Sequence, residues 1–202
     1  PSPLARYAAD HKDVVVWGGD IPGRNYPIVG SDNFLGGQLV GRHLLSLGRR
    51  RVVFLGDVRH VELGLRHRGL MAVLTSAGAA SDQTLTLSMP FDSASAYEAT
   101  RGLFQSGRWH DAIFAASDLL AIAAMQALAD LNIRVPDDVS VIGYDDIAVA
   151  AYTTPALTTV RQDTAAGGRA LVENLLAGLE GKKPRDAILP IELVIRRSCS
   201  AK

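Results

Sequence analysis

The feature that most constrains this chain is a repeating alternation along its length. Short runs rich in Val, Ile and Phe are each followed by a longer stretch whose apolar residues recur at helical spacing. The runs are residues 13–19 (DVVVWGG), 27–33 (PIVGSDN), 51–56 (RVVFLG), 84–87 (TLTL), 111–117 (DAIFAAS) and 139–146 (VSVIGYDD). Several are continuously apolar, as strands buried on both faces are. Val14 to Val16 read this way. Between the runs lie helical stretches: Leu35, Leu39, Leu44 and Leu47 after a Ser31 or Asp32 cap and before Gly48; the region from Leu63 to Ala77; residues 93–104; and residues 119–133 behind Asp118. A last helix starts at Asp163 and runs to Gly181, and two extended pieces, 187–190 and 192–198, close the chain. Alternating strands and helices of this kind build a parallel sheet with helices on its faces, so the fold class is α/β, doubly wound.

Composition narrows the possibilities by exclusion. In 202 residues, 21 Lys and Arg balance 21 Asp and Glu, so this piece lacks the basic surplus that phosphate backbones or anionic membranes require. One cysteine, Cys199, rules out an internal disulfide framework and a cysteine-based zinc site, and suits a reducing compartment. No apolar stretch approaches the roughly 20 residues of a membrane span. The first residues carry no apolar signal-peptide core. These traits describe a neutral globular protein expected in the cytoplasm. The chain also begins with a helical fragment, residues 4–12, that leads straight into an interior-type strand, and this predicts further sequence upstream.

In an open parallel sheet, ligands collect beyond the carboxyl ends of the strands. The residues at those ends include Trp17, Asp32, Glu62, Phe91, Ser117, Asp118, Asp145, Asp146, Arg161 and Gln162, with Arg66 one turn into a helix. Carboxylates, amides, an arginine fork and aromatic faces together suit a neutral polyol. Each has a plainer reading. Asp118 and Asp146 sit where helix caps belong, Arg66 sits on a helix flank open to solvent, and Phe91 and Trp17 are equally suited to a core. Enzyme signatures are missing: there is no phosphate-cradling G-x-x-x-x-G-K-[ST], no G-x-S-x-G elbow and no paired histidines on one helix face. Asp145 and Asp146, adjacent on one strand, point to opposite faces and do not make an acid/base pair across a glycosidic bond. No cofactor, metal or catalytic residue is expected.

Two long blocks carry a resemblance. Residues 31–57 (SDNFLGGQLVGRHLLSLGRRRVVFLGD) and 114–163, the latter holding RVPDDVSVIGYDDI and LTTVRQD and followed by Gly167-Gly168 and ELVIRRS, resemble the lactose/galactose repressor (LacI/GalR) family of bacterial transcription regulators. The resemblance implies a periplasmic-binding-protein-like effector domain of two lobes with ligand between them, and an N-terminal helix-turn-helix headpiece that is absent from this sequence. It divides the chain into a remnant of the N-terminal lobe (1–30 and 163–184) and the C-terminal lobe (31–162 and 185–202).

By the same resemblance, ligand contacts fall on Glu62, Arg66, Phe91, Ser117, Asp145 and Gln162, and in some relatives on Asp32. Trp17 stands where relatives carry other residues, so it is open whether it stacks on a second sugar ring or covers the core. Glu62 and Asp145 opposite Arg66 favour an unphosphorylated carbohydrate. The implied function is a sugar-responsive repressor that couples carbohydrate binding to operator DNA through the missing headpiece. The alternative is a periplasmic sugar-binding protein of a transport system. The regulator reading implies a homodimer. The surface proposed for it is the helix after Arg66 (Leu70, Val73, Leu74) with the region from Thr84 to Met89, although Leu70 and Leu74, four apart, equally suit the core.

Overall fold

The computed structural model describes residues 3–11, 13–19, 21, 23–79 and 84–202. In chain order the elements begin α1 (Pro3–Asp10), β1 (Val16–Trp17), β2 (Ile28–Ser31), α2 (Asn33–Ser46), β3 (Val52–Leu55), α3 (Val61–Ser76), β4 (Leu85–Leu87) and α4 (Ser93–Gln105). They continue with β5 (Ala112–Ala115), α5 (Asp118–Asp130), β6 (Ser140–Asp145), a short 3-10 helix (Ala148–Tyr152), β7 (Thr158–Gln162), α6 (Thr164–Leu179), β8 (Ala187–Leu189) and β9 (Ile191–Val194). The chain forms two compact units, one of Pro1–Asp32 with Gln162–Ile191, the other of Asn33–Arg161 with Glu192–Lys202.

The larger unit is built on a sheet ordered β4-β3-β5-β6-β7-β9, in which β3 to β7 pair in parallel. From β3 the chain moves outward to β4, then returns past β3 to β5. Right-handed crossovers therefore place α3 and α4 on opposite faces. Helix α2 packs along α3, and α5 along α4. The order reverses between β3 and β5, and at such a switch point a crevice opens beyond the strand ends. Strands β3 and β5 are buried throughout, and Phe54 and Phe114 meet edge to face with centroids 5.4 Å apart at the centre of the core.

Glycines set the distance between α2 and α3. A Cβ on Gly37 would overlap the Arg66 carbonyl, and one on Gly69 would overlap the Phe34 carbonyl. The two helices therefore touch backbone to backbone. At the far end of the sheet the C-terminal segment acts as a tie. Ser198 Oγ donates to the Val141 carbonyl and accepts from Thr158 N (2.8 Å), bridging β6 to β7. The Arg49 guanidinium, 1% exposed, donates to the carbonyls of Pro136, Asp137, Asp138 and Ser200. Its charge lies inside the protein because the backbone supplies four acceptors.

The smaller unit holds the parallel sheet β1-β2-β8 with α6 against it. Three sequence expectations need correction. The run around Val14–Val16, read as a strand buried on both faces, forms a two-residue strand, Val16–Trp17, that is only half-buried, since β1 lies at the sheet edge with β2 as its described neighbour. The closing segment 185–202, assigned whole to one lobe, divides: β8 pairs with β2 in the smaller unit, and β9 joins the larger sheet beside β7. The dimer surface proposed on α3 loses two of its three residues to the core, and the third, Val73, is half-buried. Leu70 and Leu74 are 0% exposed, and Val73 packs over Gly41 of α2. Among the described residues no helix is long and apolar enough to cross a membrane.

Because the α2–α3 contact leaves no room for a side chain at Gly37, Gly37→Ala should force the helices apart and cost about 1–3 kcal/mol of stability. Urea denaturation of the two proteins checks this; an unchanged midpoint would show that the helices do not depend on that contact.

Candidate functional site

Arg66 is the first candidate side chain whose surroundings the fold decides. A helix-flank arginine has a solvated default, yet Arg66 is 5% exposed. The α2–α3 contact turns it inward, where Nε donates to Asn33 Oδ1 (2.8 Å) and Nη1 to the carbonyl of Ala116 (2.5 Å), just past the end of β5. Its guanidinium carbon lies 3.6 Å from the centroid of the Tyr144 ring on β6, a cation–π contact in a desolvated setting. Arg66 thus reaches from α3 to the carboxyl end of β5, beside the switch point of the sheet. A Cβ on Gly36 would strike the Tyr144 ring, so the glycines of α2 also make room for the aromatic cover of Arg66.

Beside it, β5 runs into Ser117 and α5. Sequence reasoning placed the helix cap on Asp118; the structure places it on Ser117, whose Oγ accepts from Leu120 N (3.4 Å). Asp118 is the first residue of the helix and is 0% exposed. Its Oδ1 accepts from Thr159 Oγ1 (2.6 Å) and its Oδ2 from Ile147 N (2.8 Å). Burial raises its carboxyl from the ordinary 3.8 to about 6 against the pull of those two hydrogen bonds, and the charges of Asp145 and Asp146 push in the same direction as burial.

β6 ends at Asp145, with Tyr144 buried below it. Asp146, also read as a cap, is instead an ion-pair partner: its Oδ2 accepts from Arg161 Nε and its Oδ1 from Arg196 Nη2, both at 2.6 Å. Burial opposes its charge, but Arg196 and Arg161 together outweigh burial, and its carboxyl titrates below the ordinary range. Arg161 also donates to Glu192 on β9 at 2.6 Å.

Of the expected contacts in the larger unit, Arg66, Ser117 and Asp145 gather at the carboxyl ends of the adjacent strands β5 and β6. Glu62 lies one turn before Arg66 on α3 and is half-buried. Phe91 is 54% exposed in the loop before α4, next to Asp92, which caps that helix through Ser95 N (2.8 Å). The smaller unit holds the other three. Asp32 is exposed after β2, Gln162 ends β7 and is half-buried, and the Trp17 indole lies against Gly167 of α6, where a Cβ would overlap it. Packing on α6 thus occupies part of the Trp17 ring. Asn33, Tyr144 and Arg196 were missed. Asn33 and Tyr144 adjoin residues that were named, whereas nothing local marks Arg196. Among the described residues, no group of three or more His, Cys, Asp or Glu is placed to hold a metal ion.

The Asp118 carboxyl generates a test. It holds its proton to higher pH in the folded protein than in the unfolded chain, so its contribution to stability is greatest below about 4 and is lost as pH rises toward about 6. Asp118→Asn removes that titration. The stability of the variant relative to the parent should therefore rise between pH 4 and 6, as read by urea denaturation across the range. A pH-independent difference would mean that Asp118 titrates alike in both states.

The periplasmic binding protein-like domain family matches residues 42–199. The regulator CelR of Thermobifida fusca is 34% identical over 91% of this chain and 56% of its own length. The repressor PurR of Erwinia tasmaniensis is 32% identical over 98% of this chain and 60% of its own length. This chain therefore spans little more than half of those curated relatives. Among solved structures, a LacI family regulator from Enterococcus faecium with bound ribose matches 93% of this chain and 70% of its own at 28% identity (TM-score 0.85). The CelR–cellobiose complex matches 91% and 58% at 33% identity (TM-score 0.83). A dimeric Lac repressor matches 93% and 68% at 26% identity (TM-score 0.84). With its doubly wound sheet and its buried arginine at the strand ends, this chain belongs to the periplasmic binding protein-like domain family, in the form that LacI-family transcription regulators carry.

Proposed function

We propose that this chain is the effector-binding part of a sugar-responsive transcription regulator, and that its effector is an unphosphorylated mono- or disaccharide. The observation that carries the reading is the pre-set group of Arg66, Ser117 and Asp145 at the carboxyl ends of β5 and β6. It occurs on a scaffold matching regulators solved with ribose and with cellobiose. A guanidinium already held by Asn33, Ala116 and Tyr144 has little rotamer freedom left to lose when ligand arrives, which favours affinity. Asp145 supplies the carboxylate acceptor for sugar hydroxyls, Glu62 a second one, and Phe91 an exposed aromatic face. Asp32, Gln162 and Trp17 are proposed as further contacts from the smaller unit. That unit is read as part of the N-terminal lobe and the larger unit as the C-terminal lobe.

Regulation requires only that the effector bind two arrangements of the protein with different affinity, typically by 1–3 kcal/mol. DNA reading belongs to a helix-turn-helix headpiece outside this sequence, the protein acts in the cytoplasm, and it performs no catalysis. The names of the relatives favour this over a transport protein, since CelR and PurR are both called HTH-type transcriptional regulators or repressors.

Dimerisation is part of the same reading. With Leu70 and Leu74 in the core, the apolar surface in the larger unit lies elsewhere: Tyr152 is 83% exposed, Leu119 54% and Val149 48%. The hydrogen bond from Ile147 N to Asp118 brings the starts of α5 and the 3-10 helix together, so Leu119 and Val149 belong to one neighbourhood. An exposed aromatic with two aliphatics suits the centre of a twofold interface. Leu119→Arg combined with Tyr152→Glu should turn a dimer into a folded monomer in sedimentation experiments on the full-length protein. A dimer that survives both changes would place the interface elsewhere.

For the site itself, Asp145→Ala should weaken sugar binding about tenfold or more, because charge-assisted hydrogen bonds contribute about 1.5–3 kcal/mol each. Calorimetric titration across a sugar panel, with circular dichroism to confirm folding, reads this. Unchanged affinity in the folded variant would remove Asp145 from the site. A panel in which only sugar phosphates or nucleobases bind would overturn the effector class.

A further inference from the structure

Two consecutive residues of the candidate site hold a backbone conformation that side-chain-bearing residues rarely adopt: φ is 109° at Asp145 and 54° at Asp146. Such conformations persist only where the surroundings over-determine them. On one side the turn is clamped by Arg161 and Arg196, which hold the Asp146 carboxylate. On the other side stands Asp118. Its Oδ2 receives Ile147 N at 2.8 Å, immediately after the turn. Its Oδ1 receives the Thr159 hydroxyl at 2.6 Å, and Thr159 Oγ1 in turn accepts from Asp146 N at 3.4 Å. One buried carboxylate therefore engages the backbone amides on both sides of the Asp146 peptide unit, directly at Ile147 and through Thr159 at Asp146. Gly143 leaves the space for it, because a Cβ there would overlap Asp118 Oδ1.

Asp118 is 0% exposed, so it offers no surface to a ligand. Helix capping does not account for it either, since Ser117 caps α5. A carboxylate kept in such a place works against its own desolvation, and what it holds is the turn. We propose that Asp118 is a positioning residue for ligand binding: by fixing the left-handed Asp145–Asp146 turn through Ile147 N and Thr159, it sets the affinity delivered by Asp145. The proposal rests on the reading of Asp145 as a ligand contact. The charged groups facing Asp118 are Asp145 and Asp146, the latter neutralised by Arg161 and Arg196.

A double-mutant cycle tests the dependence on Asp145. Asp118→Ala and Asp118→Asn are made in the full-length protein, each alone and combined with Asp145→Ala, and titrated with cellobiose and with ribose. Asp118→Ala should weaken binding about tenfold when Asp145 is present and less than about twofold when it is absent. Asp118→Asn keeps an acceptor for Ile147 N, and it should restore most of the affinity. Equal losses with and without Asp145 would overturn the proposal. If Asp118→Ala does not fold, Thr159→Val removes the same relay and takes its place in the cycle. If neither of these sugars binds the parent, the cycle is run with the sugar of the panel that does. If no sugar of the panel binds, the functional reading fails by itself, and the backbone decides the positioning role: a crystal structure of the variant with Asp145 out of the positive-φ region supports it, and one with the turn unchanged refutes it.

Discussion

Burial of the Arg66 guanidinium is the constraint around which the candidate site is arranged. An unpaired cation away from water is strongly unfavourable, so its surroundings must supply acceptors. Two come from neutral groups, the Asn33 amide at the start of α2 and the Ala116 carbonyl past β5, and the ring face of Tyr144 covers the plane. Each lies on a different element. The charge is therefore satisfied only when α2, α3, β5 and β6 are all in register, and the glycine contacts between α2 and α3 bring that register about.

The acidic side follows a different logic. Asp145 occupies a rare backbone conformation, and the groups around it are fully committed: Asp146 to two arginines, Asp118 to an amide and a hydroxyl. Three carboxylates so close together repel one another. The fold distributes that repulsion unevenly, lowering the titration of Asp146 through its arginines and raising that of Asp118 through burial. Asp146 and Asp118 are thus both tied into the structure around the end of β6.

Much of this was legible in the residues. The alternation of β-branched runs and helical spacing marks the strands of the larger sheet, and Asp163 is read as the cap of the last helix, where its carboxylate accepts from Ala166 N. Strand-end position picks out Ser117, Asp145 and Gln162 before any resemblance is considered. The reading fails wherever a residue has two local uses. Asp118 and Asp146 look like caps because caps are the commonest local role of an aspartate before a helix, and the neighbour that claims each of them comes from another strand. Leu70 and Leu74 share a helical spacing with surface residues. What they face depends on where α2 lies.

The order and type of the elements are properties of the sequence itself, because the periodicity of apolar residues is set by near neighbours in the chain. Tertiary structure alone decided which of those residues lose water. Arg66 is buried because Gly37 and Gly69 admit a backbone contact, Asp118 because Gly143 leaves a notch on β6, and the Asp145–Asp146 turn holds because Arg196, some fifty residues later, reaches back to it. Desolvation and long-range ion pairing depend on what arrives from elsewhere in the chain, and no local pattern encodes that.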